Sequence, residues 1–150
     1  MTRLLDRVRE LRPGLDVRLG HIELNAPLLP ETLEALGDGE AVLVPLLLGR
    51  GYHVKQDIPE AVAGAPALRT RTAAPLGPHP LLVEALHGRL AEAGWRPEDD
   101  GDRGSAVVPA AAPLGAHPAM ARLLHRYDQA RAAGVLAQKN PMNTHFLASA

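Results

Sequence analysis

The sequence contains no cysteine. Disulfides, thiolate metal sites and cysteine nucleophiles are therefore excluded, and any bound metal has to be held by imidazole or carboxylate groups. Aromatic residues make up only 3% of the chain and the formal net charge is −1, so the sequence offers neither a stacking platform nor a basic surface for nucleic acid. We expect no nucleic-acid partner.

Long apolar runs are also missing. The longest is far shorter than the roughly 20 residues that a membrane helix needs. Residues 1–14 carry charges throughout, which is not the pattern of a signal peptide. We therefore expect a cytoplasmic protein with no membrane partner. A length of 150 residues is enough for one domain with a sheet that is covered on both faces.

Helical and strand-like segments alternate along the chain. Residues 40–48 form a nearly continuous apolar run, which is typical of a parallel strand buried on both faces. Strands are also predicted at 15–24 and 67–75, and the second is more polar and therefore nearer to a sheet edge. Helices are predicted at 4–11, 30–36, 58–64 (with Asp57 as the N-cap), 79–94 and 117–134. This alternation predicts an α/β fold with a mostly parallel sheet, in which ligands bind beyond the carboxyl ends of the strands.

An internal repeat relates residues 74–87 to residues 112–125, without gaps and at an offset of 38. Both copies contain Pro-Leu-Gly and a histidine before the proline that starts a helix. These histidines, His79 and His117, are predicted to be structural, because a ring nitrogen at a helix start can accept a backbone N–H. Two equivalent copies favour this role over a unique active site.

His53 stands out because it lies just past the end of the predicted strand at 40–48. A neutral imidazole in this place can take a proton or a divalent metal near neutral pH. The alternative is a loop histidine that bonds backbone carbonyls. Glycines at 49 and 51 allow the loop backbone to approach a ligand. Arg50 and Lys55 either bind the carboxylates of a ligand or are simply solvated.

His21 and Glu23 lie near the end of the predicted strand at 15–24. A spacing of two puts both side chains on one face of a strand, where they could complete an imidazole–carboxylate site with His53. The alternative, slightly favoured, is a buried histidine that is hydrogen-bonded to its glutamate inside the sheet. The role of His145, near the end of the chain, stays open.

Three segments resemble the sirohydrochlorin chelatase family, which includes the CbiX-type cobaltochelatases and their ferrochelatase relatives. Residues 18–36 resemble a family strand that carries a glutamate and is followed by a proline-bounded helix. Residues 42–62 resemble the family more strongly, with an apolar strand, a Gly-x-His loop and Asp-Ile-Pro. Residues 74–86 resemble the segment after the third core strand. Together the resemblance covers roughly residues 2–94.

The resemblance implies a chelatase-like three-layer αβα fold. It also implies a lyase-type metal chelatase that inserts Co²⁺ or Fe²⁺ into sirohydrochlorin, a tetrapyrrole, on the route to cobalamin or sirohaem. No organic cofactor is expected. His53 matches the family's metal-handling histidine, which serves as metal ligand, base or both, and Asp57 matches the helix start that holds its loop. The substrate's carboxylates favour Arg50, Lys55 and Gly51 as binding residues.

The chain departs from the family pattern at its start. Family members begin with a strand that ends in a His-Gly-Ser-Arg type motif, whereas this chain begins at the helix that should follow. We therefore expect the first strand and its metal-handling histidine to be missing, and His21, with Glu23 as an orienting carboxylate, to be the best replacement. The vacant position in the sheet is predicted to be filled by residues 105–113 or covered by a second subunit, since short family members pair as homodimers.

The predicted organisation is a chelatase-like half at 1–94, an acidic linker at 95–104, a partial second copy at 105–133 and a tail at 134–150. The leading interpretation is a chelatase with His53, His21 and Glu23 as catalytic residues and the two histidines as metal ligands. The alternative is a non-catalytic metal- or tetrapyrrole-binding relative, or an incomplete half that is active only in an oligomer. A second imidazole facing His53 favours catalysis, and a lone exposed His53 favours binding.

Overall fold

The fold is described for residues 2–96, 117–122, 124–133 and 144–149 of a computed structural model. Its helices are α1 (Thr2–Leu11), α2 (Leu29–Leu36), α3 (Tyr52–Lys55), α4 (Asp57–Ala63), α5 (Pro80–Glu92), α6 (Pro118–Arg122) and α7 (His125–Ala132). Its strands are β1 (Asp16–Gly20), β2 (Gly39–Pro45), β3 (Leu68–Thr72) and β4 (Thr144–Ser149). In these ranges, no helix is long and apolar enough to cross a membrane.

The strands form one parallel sheet in the order β1-β4-β2-β3. β2 lies inside the sheet, as its apolar sequence predicted, and every residue from Ala41 to Pro45 is buried. β3 is an edge strand, which confirms the expectation from its polar sequence. The predicted α/β fold with a parallel sheet is therefore confirmed.

β4 supplies a central strand from the end of the chain. It lies between β1 and β2 and pairs with both, with Ala148 opposite Leu19 and Val44. The prediction that residues 105–113 or a second subunit occupy the vacant position is wrong, because a strand from the predicted tail fills it. Residues 97–116, which include the predicted strand at 105–113 and most of the predicted linker, lie outside the described residues. The division of the chain into a half, a linker and a partial copy stays a prediction.

Helices cover both faces of the sheet. Because side chains alternate along a strand, Leu43 of β2 packs against α2 and α4, whereas Val42 and Val44 pack against α1 and α7. The helix predicted at 117–134 is divided into α6 and α7. α5 and α6 pack on each other beside α1, with buried contacts from Leu4, Leu82, Ala85 and Met120. The result is the expected arrangement of helix, sheet and helix layers.

The strand predicted around His21 ends before it, at Gly20. The following loop closes on itself: the His21 N–H donates to the Pro27 carbonyl at 2.9 Å, and the Leu29 N–H donates to the His21 carbonyl at 2.7 Å. These bonds turn the chain into α2. His21 and Glu23 therefore do not share one face of a strand, and the expectation based on their spacing is wrong.

Two repeated histidines cap helices, as the repeat predicted. The Leu81 N–H donates to Nδ1 of His79 at 3.1 Å, and the Ala119 N–H donates to Nδ1 of His117 at 3.2 Å. The second cap also lies at the contact between α5 and α6. A Cβ on Gly88 of α5 would stand 2.5 Å from Nε2 of His117, so only glycine fits there without movement of the ring.

The His79 cap is expected to make the protein's stability sensitive to acid. Burial of the ring lowers the His79 pKa from its usual value of 6.5, and the neighbouring His125 and Arg126 lower that pKa further. The folded protein then binds fewer protons than the unfolded chain, so the free energy of unfolding falls as the pH drops below about 6.5. His79→Asn keeps a capping side chain that does not titrate. We expect it to reduce this pH slope in urea unfolding between about pH 7.5 and 5.5.

The matched control is His87→Asn, which changes an exposed histidine on the same helix. This variant is expected to keep the wild-type slope. If His79→Asn and His87→Asn alter the slope equally, the acid sensitivity does not come from the cap.

Candidate functional site

The loops that follow β1, β2 and β3 lie at the carboxyl edge of the parallel sheet. The second and third of these loops support each other, because the Leu76 N–H donates to the Leu47 carbonyl at 3.0 Å. Gly77 is required at this contact, since a Cβ there would lie 2.3 Å from the carbonyl oxygen of Leu48. The Pro-Leu-Gly turn of the first repeat copy therefore holds the loop that leads to His53.

His53 lies on α3, the single turn of helix after this loop, and Gly51 is the exposed N-cap of that helix. The His53 Nδ1 is 2.5 Å from Oδ2 of Asp57, the first residue of α4. The prediction of Asp57 as the N-cap of α4 is wrong, because Gln56 holds that position and the Asp57 carboxylate bonds the imidazole instead. The spacing of four residues between His53 and Asp57 was the signal in the sequence for this pair.

The surface around His53 combines charged and apolar groups. Arg50 and Lys55 are exposed on its two sides in the chain. Leu48 and Tyr52 are also exposed, at 65% and 71%, although both side chains are large and apolar. The Tyr52 ring meets the His53 ring edge to face, with centroids 6.4 Å apart. One short segment therefore presents an imidazole, two cations and an apolar surface.

His21 is separated from His53 by β4. His21 follows β1 and His53 follows β2, and these strands lie two strand spacings apart, about 10 Å. His21 therefore does not come from a strand next to that of His53. Across the described part of the chain, no group of three or more His, Asp or Glu side chains is placed to hold a metal ion. A role for His21 and Glu23 at the metal stays a prediction.

A cleft of about 790 Å³ opens between α2 and α4, beside the His53 loop. Four carboxylates line it, from Glu23, Glu34, Asp57 and Glu60, and its described lining contains no lysine or arginine. His53 does not line the cleft, but its partner Asp57 does. The charge of this lining disfavours a large anion.

The site can bind a divalent metal and accept a proton at one imidazole. The His53 side chain is 41% exposed, so a ligand in solvent can reach it. Imidazole is a good ligand for the first-row divalent metals, with water completing their coordination. The His53–Asp57 pair offers one imidazole that is oriented by a carboxylate.

Comparison with known proteins identifies the family. The CbiX family model matches residues 1–93, from α1 through α5. The chain belongs to the CbiX family. The CbiX match contains the sheet strands β1 to β3 and the His53–Asp57 pair, which confirms the family expected from the Gly-x-His loop and Asp-Ile-Pro. β4 lies beyond the segment that the CbiX model matches.

Two curated relatives of this CbiX protein are both named sirohydrochlorin cobaltochelatase. A sirohydrochlorin cobaltochelatase from Sulfurisphaera tokodaii is 33% identical over 79 residues, which are 51% of this chain and 66% of that protein. A sirohydrochlorin cobaltochelatase from Methanococcus aeolicus is 31% identical over 61 residues, which are 39% of this chain and 43% of that protein. The matches span less than two thirds of the length of either relative. No solved structure matches the chain significantly.

Proposed function

We propose that this CbiX protein binds Co²⁺ or Fe²⁺ at His53 and inserts the metal into sirohydrochlorin. The observation that carries the proposal is the place of His53, an accessible imidazole beyond the carboxyl end of β2, inside the segment that the CbiX model matches. The names of the two relatives support sirohydrochlorin as the substrate and favour cobalt as the metal. The product then lies on the route to cobalamin, or to sirohaem if the metal is iron.

Metal insertion needs a side chain that binds the metal and a base that accepts the pyrrole protons. Two pyrrole N–H protons leave the macrocycle as the metal enters, and the metal loses bound water. A neutral imidazole can hold the ion or take one of the two protons. His53 serves in one or both of these roles. His21 and Glu23 are proposed to act on the second proton, which otherwise leaves through solvent.

The substrate's charge determines where the macrocycle binds. Its carboxylates are attracted to Arg50 and Lys55, and its apolar ring face suits the exposed Leu48 and Tyr52. The acidic cleft between α2 and α4 repels the same carboxylates. We therefore place the macrocycle over the His53 loop, with Gly51 leaving room for its approach.

The second candidate is a metal- or tetrapyrrole-binding protein without chelatase activity. It is favoured because the described residues contain no group of three or more His, Asp or Glu side chains that could hold a metal ion, whereas insertion in the family uses a second metal-handling histidine. Activity only in an oligomer belongs to the same alternative. A homodimer and a cytoplasmic location stay predictions from the sequence.

The deciding experiment is metal insertion into sirohydrochlorin, followed by the visible absorbance of the macrocycle. Wild type is expected to exceed the uncatalysed rate with Co²⁺. His53→Ala is expected to lower the rate by about a hundredfold, the usual scale for a positioned acid–base group. His87→Ala, at an exposed histidine far along the chain, is the matched control and is expected to keep the wild-type rate. A parallel anaerobic series with Fe²⁺ compares the metals.

Two outcomes contradict the proposal. If His53→Ala inserts metal as fast as wild type, His53 does not carry the reaction. If wild type binds the tetrapyrrole without inserting metal above background, the binding function replaces the enzymatic one.

A further inference from the structure

The pairing of His53 with Asp57 has a consequence for the protons on the imidazole. We propose that Asp57 is a positioning residue that holds His53 in the tautomer with the proton on Nδ1, so that Nε2 presents its lone pair to the metal. The binding of a metal by that lone pair rests on the proposed function, whereas the preference for the Nδ1–H tautomer does not. The observation behind the proposal is the contact of 2.5 Å between Nδ1 and Oδ2 of Asp57.

The direction of this hydrogen bond follows from the groups involved. An ionised carboxylate can only accept, so the ring nitrogen that faces it carries the proton and donates. A neutral imidazole has one N–H, and the other nitrogen, Nε2, is then an acceptor and a metal ligand. Histidines that bind metals commonly donate their second ring nitrogen to a carboxylate in this way. Asp57 therefore selects which nitrogen of His53 does the chemistry.

The backbone around the pair keeps its geometry. The Gln56 N–H donates to the Tyr52 carbonyl at 2.8 Å, which closes the turn that carries His53. The Glu60 N–H donates to the Gln56 carbonyl at 3.0 Å, which starts the turn that carries Asp57. The next residue, Ile58, is fully buried and anchors this start of α4 in the core. The pair therefore differs from an ion pair between two long, freely rotating surface side chains.

The test is Asp57→Asn in the full chain, without tetrapyrrole. An asparagine can donate through its amide as well as accept, so the ring is no longer restricted to the Nδ1–H form. Imidazole ¹⁵N shifts of the metal-free protein report the tautomer directly. We expect the Nδ1–H form to dominate in wild type and the Nε2–H form to appear in the variant. Co²⁺ affinity, from titration of its visible absorbance, is expected to fall by about tenfold or more.

The matched control is Glu60→Gln. It removes one negative charge from the same acidic cleft, one turn further along α4, and keeps the Asp57 carboxylate that bonds the His53 ring. We expect it to keep the tautomer and nearly all of the Co²⁺ affinity. Asp57→Glu, which restores a carboxylate, is expected to recover the Nδ1–H form and part of the affinity.

The proposal is overturned if the Nε2–H form dominates in wild type, a measurement that needs no variant. It is also overturned if Asp57→Asn keeps both the tautomer and the affinity, or if Glu60→Gln loses as much affinity as Asp57→Asn. These readouts use the metal alone. A protein with the expected tautomer and affinity but no insertion activity therefore contradicts the proposed function and leaves the role of Asp57 intact.

Discussion

Ala148→Pro is expected to destabilise the protein by about 3 kcal/mol, a large part of a typical total of about 5–15 kcal/mol. Ala148 lies on β4 between Leu19 of β1 and Val44 of β2, so its strand has a hydrogen-bonded neighbour on each side. Proline has no N–H, and its ring crowds the neighbouring strand. In a central strand every backbone N–H donates a hydrogen bond to a neighbouring strand, so the loss of an N–H also removes a hydrogen bond. Urea unfolding followed by far-UV circular dichroism measures the change.

Thr70→Pro is the matched control, on the edge strand β3. The Ala73 N–H donates to the Leu43 carbonyl of β2 at 2.8 Å, and N–H directions alternate along a strand. The Thr70 N–H therefore points away from β2, to the side of β3 where the described residues place no further strand and where proline is tolerated. Ala148→Pro should cost much more stability than Thr70→Pro. Equal and small losses would mean that the carboxyl-terminal segment is not the central strand.

Ile58→Ala is expected to cost about 2–5 kcal/mol, the range for a large aliphatic side chain lost from a core. Ile58 is the middle residue of Asp-Ile-Pro and is 0% exposed, packed with Leu33, Leu43 and Leu68. Its truncation leaves a cavity between α4 and the sheet. Because Ile58 follows Asp57 directly, the same change loosens the support of the His53 partner. Chemical denaturation of the folded variant measures the loss.

The control for this prediction is Leu24→Ala, since Leu24 is 92% exposed. Its removal should change the free energy of unfolding by no more than about 0.5 kcal/mol. A similar small effect of Ile58→Ala would show that the apolar residue of the motif is not a core anchor. In that case the burial of α4 against the sheet has to be revised.

The local patterns in the sequence predicted much of the fold. The apolar run at 40–48 predicted β2, because a parallel strand that is buried on both faces consists mostly of apolar side chains. The repeat predicted the caps at His79 and His117, since a cap depends on residues within one turn. The boundary at Gly20 was missed because the loop bonds that end β1 involve Pro27 and Leu29, beyond the reach of strand periodicity.

The candidate site was predicted in part. His53 could be singled out because a histidine after a buried strand and between glycines is visible in the sequence. Asp57 was visible too, but its role was missed because the pattern at a helix start also fits an N-cap. Nothing in the sequence predicted that Leu48 and Tyr52 are exposed, because large apolar residues in this segment fit a buried position as well as an exposed one.

By itself, the sequence determined the class of fold, the histidine caps of α5 and α6, the family and the histidine on which the proposed chemistry depends. Each of these is encoded by residues close together in the chain. Only the tertiary structure decided that β4 lies between β1 and β2, which are therefore about 10 Å apart, and that Asp57 faces the His53 ring. Strand order depends on contacts between segments more than a hundred residues apart, such as Asp16 opposite His145. Local strand propensity does not predict such contacts, because it depends only on residues that are near in the sequence.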